Sequence, residues 1–226
     1  MSVPPAGERA QGVIPGLGAV VLCGGKSTRM GRPKAWLPFG GEALLSRVVA
    51  RIAEAASPLV VVAAPDQEVP PLPPGARIVR DAVSGRGPLQ GILAGLSALE
   101  GLAAAAFVSS TDAPFLHPEL IRRLEALRAE GDHDVAVPRA QGHYHPLAAV
   151  YRTSVRAVVQ DLLESDLRRP FFVFERTRAR FAEEADLLAG EALRAADPHL
   201  WSLRNINTPD EYEEALRDAG LPPSSP

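Results

Sequence analysis

The sequence predicts an α/β fold in three layers, α/β/α, with a Rossmann-like, mostly parallel sheet at the centre. Three observations lead there. Short continuous apolar runs alternate with stretches of helical periodicity through the first 130 residues, the runs end in Gly-rich or polar turns, and 226 residues are enough to bury one sizeable core. Sheets of this kind place ligands outside the carboxyl ends of their strands.

Each element carries its own local signal. Residues 19–22 form an apolar run that closes on a Gly-rich turn, the pattern of a buried strand feeding a loop. Over 44–56, Leu45, Val48, Val49 and Ile52 share one helical face. A buried strand follows at 59–64 between Pro58 and Pro65, and a third at 77–79 after the Pro-rich PPLPPG. Leu89, Ile92, Leu93 and Leu96 recur at helical spacing over 89–99, and 107–109 is a fourth strand ending in the polar turn STDAP. The helix at 118–129 starts on Pro118, whose missing N–H costs nothing in a first turn, and its stripe is Leu120, Ile121, Leu124 and Leu127. Beyond this point the alternation loosens. AVP at 136–138 and PLAAVY at 146–151 read as strands and 155–163 as a helix, whereas FFVFERTRARFAEEADLLAG is compatible with strand, helix or both. Near the end, Thr208, Pro209 and Glu211 make a helix start with a capping box.

Composition narrows the function classes. Hydrophobic residues are 46% and charged residues 23%, with a net charge of −3, so neither a disordered chain nor a bulk nucleic-acid binder is expected. One cysteine, Cys23, excludes an intramolecular disulfide framework and a Cys-rich zinc site. No apolar run reaches bilayer length, and MSVPPAGERAQGVIPGLG lacks a basic segment followed by an unbroken apolar one, so neither membrane insertion nor secretion is expected. The expectation is a cytoplasmic monomer with one domain over 18–220 and short tails at 1–17 and 221–226, where Pro is frequent.

The stretch LCGGKSTRMGRPKAWLPFGG at 22–41 carries most of the chemistry. A buried strand delivers Gly24 and Gly25, then two hydroxyls, Arg29, Gly31 and Lys34. Glycines let backbone N–H groups approach an anion closely, and Arg and Lys add mobile positive charge suited to a triphosphate. A Walker P-loop is excluded by spacing, because its first glycine would fall at Val20.

This stretch, with its LxGGxSxRMGxxK pattern, resembles the molybdenum cofactor guanylyltransferase family. Three further stretches match in order: GPLQGILAGLSAL at 87–99, STDAPFLHPEL at 110–120 and NINTPDE at 205–211. The resemblance runs from about Gly18 to Leu216 and implies a sheet of the nucleotidyltransferase type. It also implies transfer of GMP from GTP to the terminal phosphate of molybdopterin, with release of pyrophosphate and Mg²⁺ as cofactor. On the matching positions it assigns Arg29 and Lys34 to the phosphates and Asp112 to Mg²⁺. Leu22, Cys23, Gly24 and Gly25 fall along the nucleotide, and Asp81 is a nucleotide contact. Asn205 and Asn207 lie near metal and pterin, and His145 is on the acceptor side. Molybdoenzymes or cofactor-insertion proteins are the implied protein partners.

The residues leave alternatives open. Asp112 and Asp81 also suit strand-end turns, Asn205 and Asn207 the approach to a helix cap, Cys23 a small buried hydrophobe and His145 a structural histidine before a strand. Arg168, Arg169, Arg176, Arg178 and Arg180 form a basic cluster that suits the molybdopterin phosphate or an acceptor enzyme, or a solvated helix face interleaved with glutamates. An asparagine that the family has after the second strand is replaced here by Ala63 and Ala64, and Ser110 and Thr111 depart from the family pattern before Asp112. Pro33 before Lys34 resembles the cytidylyltransferase branch and the sugar-phosphate nucleotidyltransferases, whereas Gly24 and Gly25 resemble the guanylyl branch. A non-catalytic nucleotide-binding or cofactor-delivery module is the alternative of a different class.

Overall fold

A computed structural model describes residues 12–24, 33–81 and 87–223. The chain opens with β1 (Leu17–Leu22), whose six residues LGAVVL are all buried, as a central parallel strand requires. A 3₁₀ turn at Lys34–Trp36 and the small hairpin β2 (Pro38–Phe39) and β3 (Glu42–Ala43) lead into α1 (Leu44–Ala53). Then come β4 (Leu59–Ala63), β5 (Ala76–Arg80), α2 (Pro88–Ala98), β6 (Ala105–Ser110) and α3 (Pro118–Glu130). The later half holds β7 (Val135–Ala140), β8 (His143–Tyr144), β9 (Ala148–Arg152) and α4 (Arg156–Glu164). It continues with α5 (Phe171–Glu175), β10 (Ala179–Glu183), α6 (Glu184–Leu188), α7 (Glu191–Ala196) and α8 (Pro209–Asp218).

The main sheet has the order β10-β7-β9-β6-β1-β4-β5, with β8 paired on β7. Parallel pairing joins β6, β1, β4 and β5, and β10 lies parallel to β7. The exceptions are β9, antiparallel to both β6 and β7, and β8. The mostly parallel three-layer expectation is therefore met. Leu45, Val48 and Val49 of α1 and Leu120, Ile121 and Leu124 of α3 pack one face of the sheet. Leu89, Ile92 and Leu96 of α2, Val159 and Leu162 of α4 and Phe174 of α5 pack the other.

The ambiguous stretch resolves into both elements in sequence. Residues 171–175 are helix, 179–183 strand and 184–188 helix, and the last is started by a capping box between Glu183 and Asp186. Packing also reaches past the expected limits of 18 and 220. Ile14 packs on the first core with its N–H on the Ala55 carbonyl at 2.8 Å, and Leu221 packs against the core around α8.

Two features position the carboxyl edge. Chain leaves β1 through α1 toward β4 and β5, then returns through α2 to β6 on the opposite side of β1, so β1 and β6 flank the switch point where open α/β sheets bind ligands. A small third core of Leu37, Phe39, Leu44, Ile206, Tyr212, Ala215 and Leu216 ties the β2–β3 hairpin to α8, and the Tyr212 hydroxyl donates to the Pro38 carbonyl. Chain just before the hairpin is thereby held beside chain just before α8.

Candidate active site at the switch point

Leu22 and Ser110 end β1 and β6 in register with each other. Just past them, Thr111 donates both its N–H and its hydroxyl to the Leu22 carbonyl, at 3.2 and 3.1 Å. That pair of hydrogen bonds fixes the turn which presents Asp112. Ser110 Oγ donates to Asp112 Oδ1 at 2.5 Å, and Lys34 Nζ donates to Asp112 Oδ2 at 2.8 Å. Lys34 Nζ also donates to Asn207 Oδ1 at 3.1 Å, while the Ile206 N–H donates to the Asp112 carbonyl at 2.9 Å. Three of the four sequence motifs thus meet in one cluster of oxygens around one ammonium group. The side chains of Lys34 and Asp112 are 20% and 15% exposed, so the pair is partly shielded from water yet open to a ligand.

The donor set sets what the cluster can hold. Among the described residues no group of three His, Cys, Asp or Glu could cage a metal ion, which leaves the single hard carboxylate of Asp112. A carboxylate oxygen accepts at several lone-pair positions, and Mg²⁺ commonly takes one or two carboxylates with waters and phosphate oxygens. Asp112 therefore fits Mg²⁺ shared with a phosphate and does not fit zinc.

Where β1 and β4 end, the edge is backbone held by hydrogen bonds. The Cys23 N–H donates to the Val62 carbonyl at 2.8 Å, and Gln67 Nε2 donates to the Cys23 carbonyl at 2.8 Å. Gln67 Oε1 in turn accepts from the Ala64 N–H at 3.2 Å, and Arg80 donates to the carbonyls of Ala64 and Gln67 at 2.9 and 2.6 Å. Gln67 therefore braces the two loops where the expected asparagine is missing. Cys23 is buried, and desolvation pushes its thiol pKa up against the lowering effects of Thr111, Gln67 and Arg80, which suits an inert small hydrophobe. A Cβ on Gly24 would meet nothing within 4 Å among the described residues. Asp81 follows β5, with its N–H on the Ala63 carbonyl at 2.9 Å. Gly25 and Arg29 lie outside the described residues.

Why α2 starts at this edge is a packing result. A Cβ at Gly91 would stand 2.9 Å from Leu22 Cδ2, and one at Gly95 only 2.2 Å from Val20 Cγ1, so these two glycines let α2 lie close on β1. Among the described residues the helix start at Gly87 has no side-chain cap, an arrangement of N–H groups that favours anions.

On the other half, His145 lies between β8 and β9, its N–H bonded to the Pro138 carbonyl at 3.0 Å. Burial lowers its imidazole pKa, His143 adds to that lowering and the Ala140 carbonyl opposes it, while Nε2 is buried with no partner among the described residues. Asn205 and Asn207 are both exposed on either side of buried Ile206, and only Asn207 is seen bonded to Lys34. The arginines expected on one helix face are spread over a loop, a helix end and a strand. Arg168 pairs with Asp166, Arg178 with Asp132 and Arg180 with Asp186. Ser110 and Gln67 were not singled out from sequence as site residues, because neither sits in a spacing pattern that marks its role.

Residues 19–179 match the family of the MobA-like NTP transferase domain. The chain is 41% identical over 195 residues to a Mycobacterium avium (strain 104) protein named "Probable molybdenum cofactor guanylyltransferase", covering 85% of this chain and 91% of that one. A Mycobacterium tuberculosis (strain H37Rv) protein of the same name is 39% identical over 165 residues, 72% of this chain and 80% of that one. In structure, the chain resembles molybdopterin-guanine dinucleotide biosynthesis protein A from Archaeoglobus fulgidus. The TM-score is 0.69 at 25% identity, covering 89% of this chain and 98% of that one.

Proposed function

The chain belongs to the family of MobA-like NTP transferase domains, and from that premise we propose that it transfers GMP from GTP to the terminal phosphate of molybdopterin. The observation that carries this reading is the convergence of Lys34, Asp112 and Asn207 at the switch point. The names borne by its relatives support the guanylyl assignment.

In the proposed step an oxygen of the acceptor phosphate attacks the α-phosphorus of GTP. The bond from that phosphorus to the β-bridging oxygen breaks, and pyrophosphate leaves with the electron pair. The acceptor oxygen is already anionic, so no activated Ser or Cys is needed, and the work is positioning and charge neutralisation. Asp112, oriented by Ser110, holds Mg²⁺, which supplies charge neutralisation to the phosphate oxygens when bound. Lys34 exchanges its bond to Asp112 for the phosphates of the bound nucleotide, while Asn207 keeps the ammonium group at the edge. Arg29 adds a second cation to the triphosphate. Leu22, Cys23, Gly24, Gly25 and Asp81 line the nucleotide, and His145, Asn205 and Asn207 lie toward the acceptor. We place the reaction in the cytoplasm, and among the described residues no helix is long and apolar enough to cross a membrane.

Calorimetry with GTP, CTP and ATP in the presence of Mg²⁺, paired with transfer assays on molybdopterin, tests the reading. GTP is expected to bind in preference and to yield the guanine dinucleotide. A preference for CTP moves the chain to the cytidylyl reaction, and GTP binding without transfer makes it a binding module.

A further inference from the structure

The half of the carboxyl edge away from the nucleotide carries an aromatic corner. Gln141 and Gly142, at φ of 52° and 77°, fold the chain back so that Tyr144 pairs with Arg139. Register brings this hairpin toward the reaction centre. Ala148 stands opposite Ser109 on β6, so the residues before Ala148 run on beside the segment that presents Asp112. Phe171 opens α5, and its ring centroid lies 5.7 Å from that of Tyr144 with 42° between the planes. These two rings are 38% and 43% exposed, whereas Phe174 behind them is 5% exposed and stands 6.4 Å from Tyr144. Tyr144 also packs 5.1 Å from Phe181, so the two rings are held from behind by aromatic neighbours and each keeps only one side open to solvent.

Charge surrounds the corner. The Arg139 guanidinium lies 5.6 Å from the Tyr144 ring centroid and is paired with Glu183 at 3.1 Å. Arg168 and Arg169 precede Phe171, and the Arg168 carbonyl comes 3.7 Å from where a Gly87 Cβ would stand, so this loop abuts the start of α2 on the same edge. Arg168 is paired with Asp166, while Arg169 is exposed and its side chain makes no hydrogen bond or ion pair among the described residues. Open rings beside an uncommitted guanidinium match a flat, fused heteroaromatic ring with anionic substituents. Two side chains are far too small an area for a stable protein partner, which needs about 800 Å² on each side.

We propose that Tyr144 and Phe171 hold the fused pterin ring of the acceptor by stacking, with Arg169 attracting its anionic groups. This rests on the reading that the acceptor is molybdopterin, and it assigns acceptor specificity to residues outside the Lys34 and Asp112 cluster. Binding of molybdopterin, followed by its own absorption and fluorescence, and GMP transfer are both measured for the wild type, Tyr144→Ala/Phe171→Ala and Tyr144→Phe.

The double variant is expected to weaken molybdopterin binding and raise its KM by about tenfold or more, the scale of a lost ring stack, with GTP affinity unchanged and Tyr144→Phe close to wild type. If the double variant does not fold, Tyr144→Ala alone, on the exposed hairpin, carries the comparison. Unchanged acceptor binding and KM in a folded variant overturns the inference, as does a wild type that does not bind molybdopterin. Binding that depends on the two rings without any GMP transfer upholds the corner and refutes the transfer reading.

Discussion

Lys34 and Asp112 form an ion pair at 2.8 Å that is partly open to solvent at the candidate site. Replacing either residue should therefore act on turnover more than on folding. Asp112→Asn keeps an oxygen for the Ser110 hydroxyl but loses the charge, and Lys34→Ala removes a cation facing the leaving pyrophosphate. Each should lower GMP transfer by about 10²–10³-fold, the usual cost of one charge-stabilising group, which steady-state kinetics can read. A denaturation midpoint near wild type would separate this from misfolding. His145 gives a pH signature instead. Its folded pKa lies below its unfolded value of 6.5 because burial disfavours the imidazolium, so the unfolded chain takes up the proton first. The stability it contributes is complete above that pH and is lost as pH falls through the lower, folded value. Denaturation midpoints followed from about pH 7.5 to about pH 5 should fall less for His145→Gln than for the wild type, and equal slopes would refute the assignment.

Among elements, α2 shows how packing sets the position of the edge. Gly91 and Gly95 are poor helix residues, yet each removes a Cβ that would press on β1. Gly95→Ala gains about 1 kcal/mol of helix propensity but overpacks fully buried Val20, a cost of about 1–3 kcal/mol. Net destabilisation is expected in urea titrations, with Val20→Ala restoring part of it in the double variant, and additive losses would show that the two do not touch. Legibility differs along the same lines. Leu89, Ile92 and Leu96 announced α2 by their period, and Thr208 and Glu211 announced α8 by a capping box that the structure contains. For residues 171–188 the period was uninformative because five-residue helices and a five-residue strand are too short to show one. Tertiary contacts assign them: β10 pairs with β7, and Phe174 fills the second core.

For the whole molecule, a ligand that binds the cluster should stabilise every layer packed onto the same sheet. GTP with Mg²⁺ at about a hundred times its Kd adds about 2.7 kcal/mol, equivalent to a rise of about 5–10 °C in Tm for a domain of this size. Thermal unfolding with GTP should show that rise, and chelating the metal or substituting Asn for Asp112 should shrink it. A shift insensitive to both would remove Asp112 from metal binding. The fold class and most of the strands and helices were readable in the chain because they rest on local periodicity, while Lys34, Asp112 and Asn207 were marked out as candidate site residues by motifs that resemble those of a family. What the tertiary structure alone decided is long-range. It joined Lys34 to Asn207 through the core between the β2–β3 hairpin and α8, turned Ser110 and Gln67 into supports of the candidate site, and brought the Tyr144 and Phe171 rings side by side. Contacts between residues far apart in sequence leave no spacing signal, since they arise only when separate apolar faces are buried together.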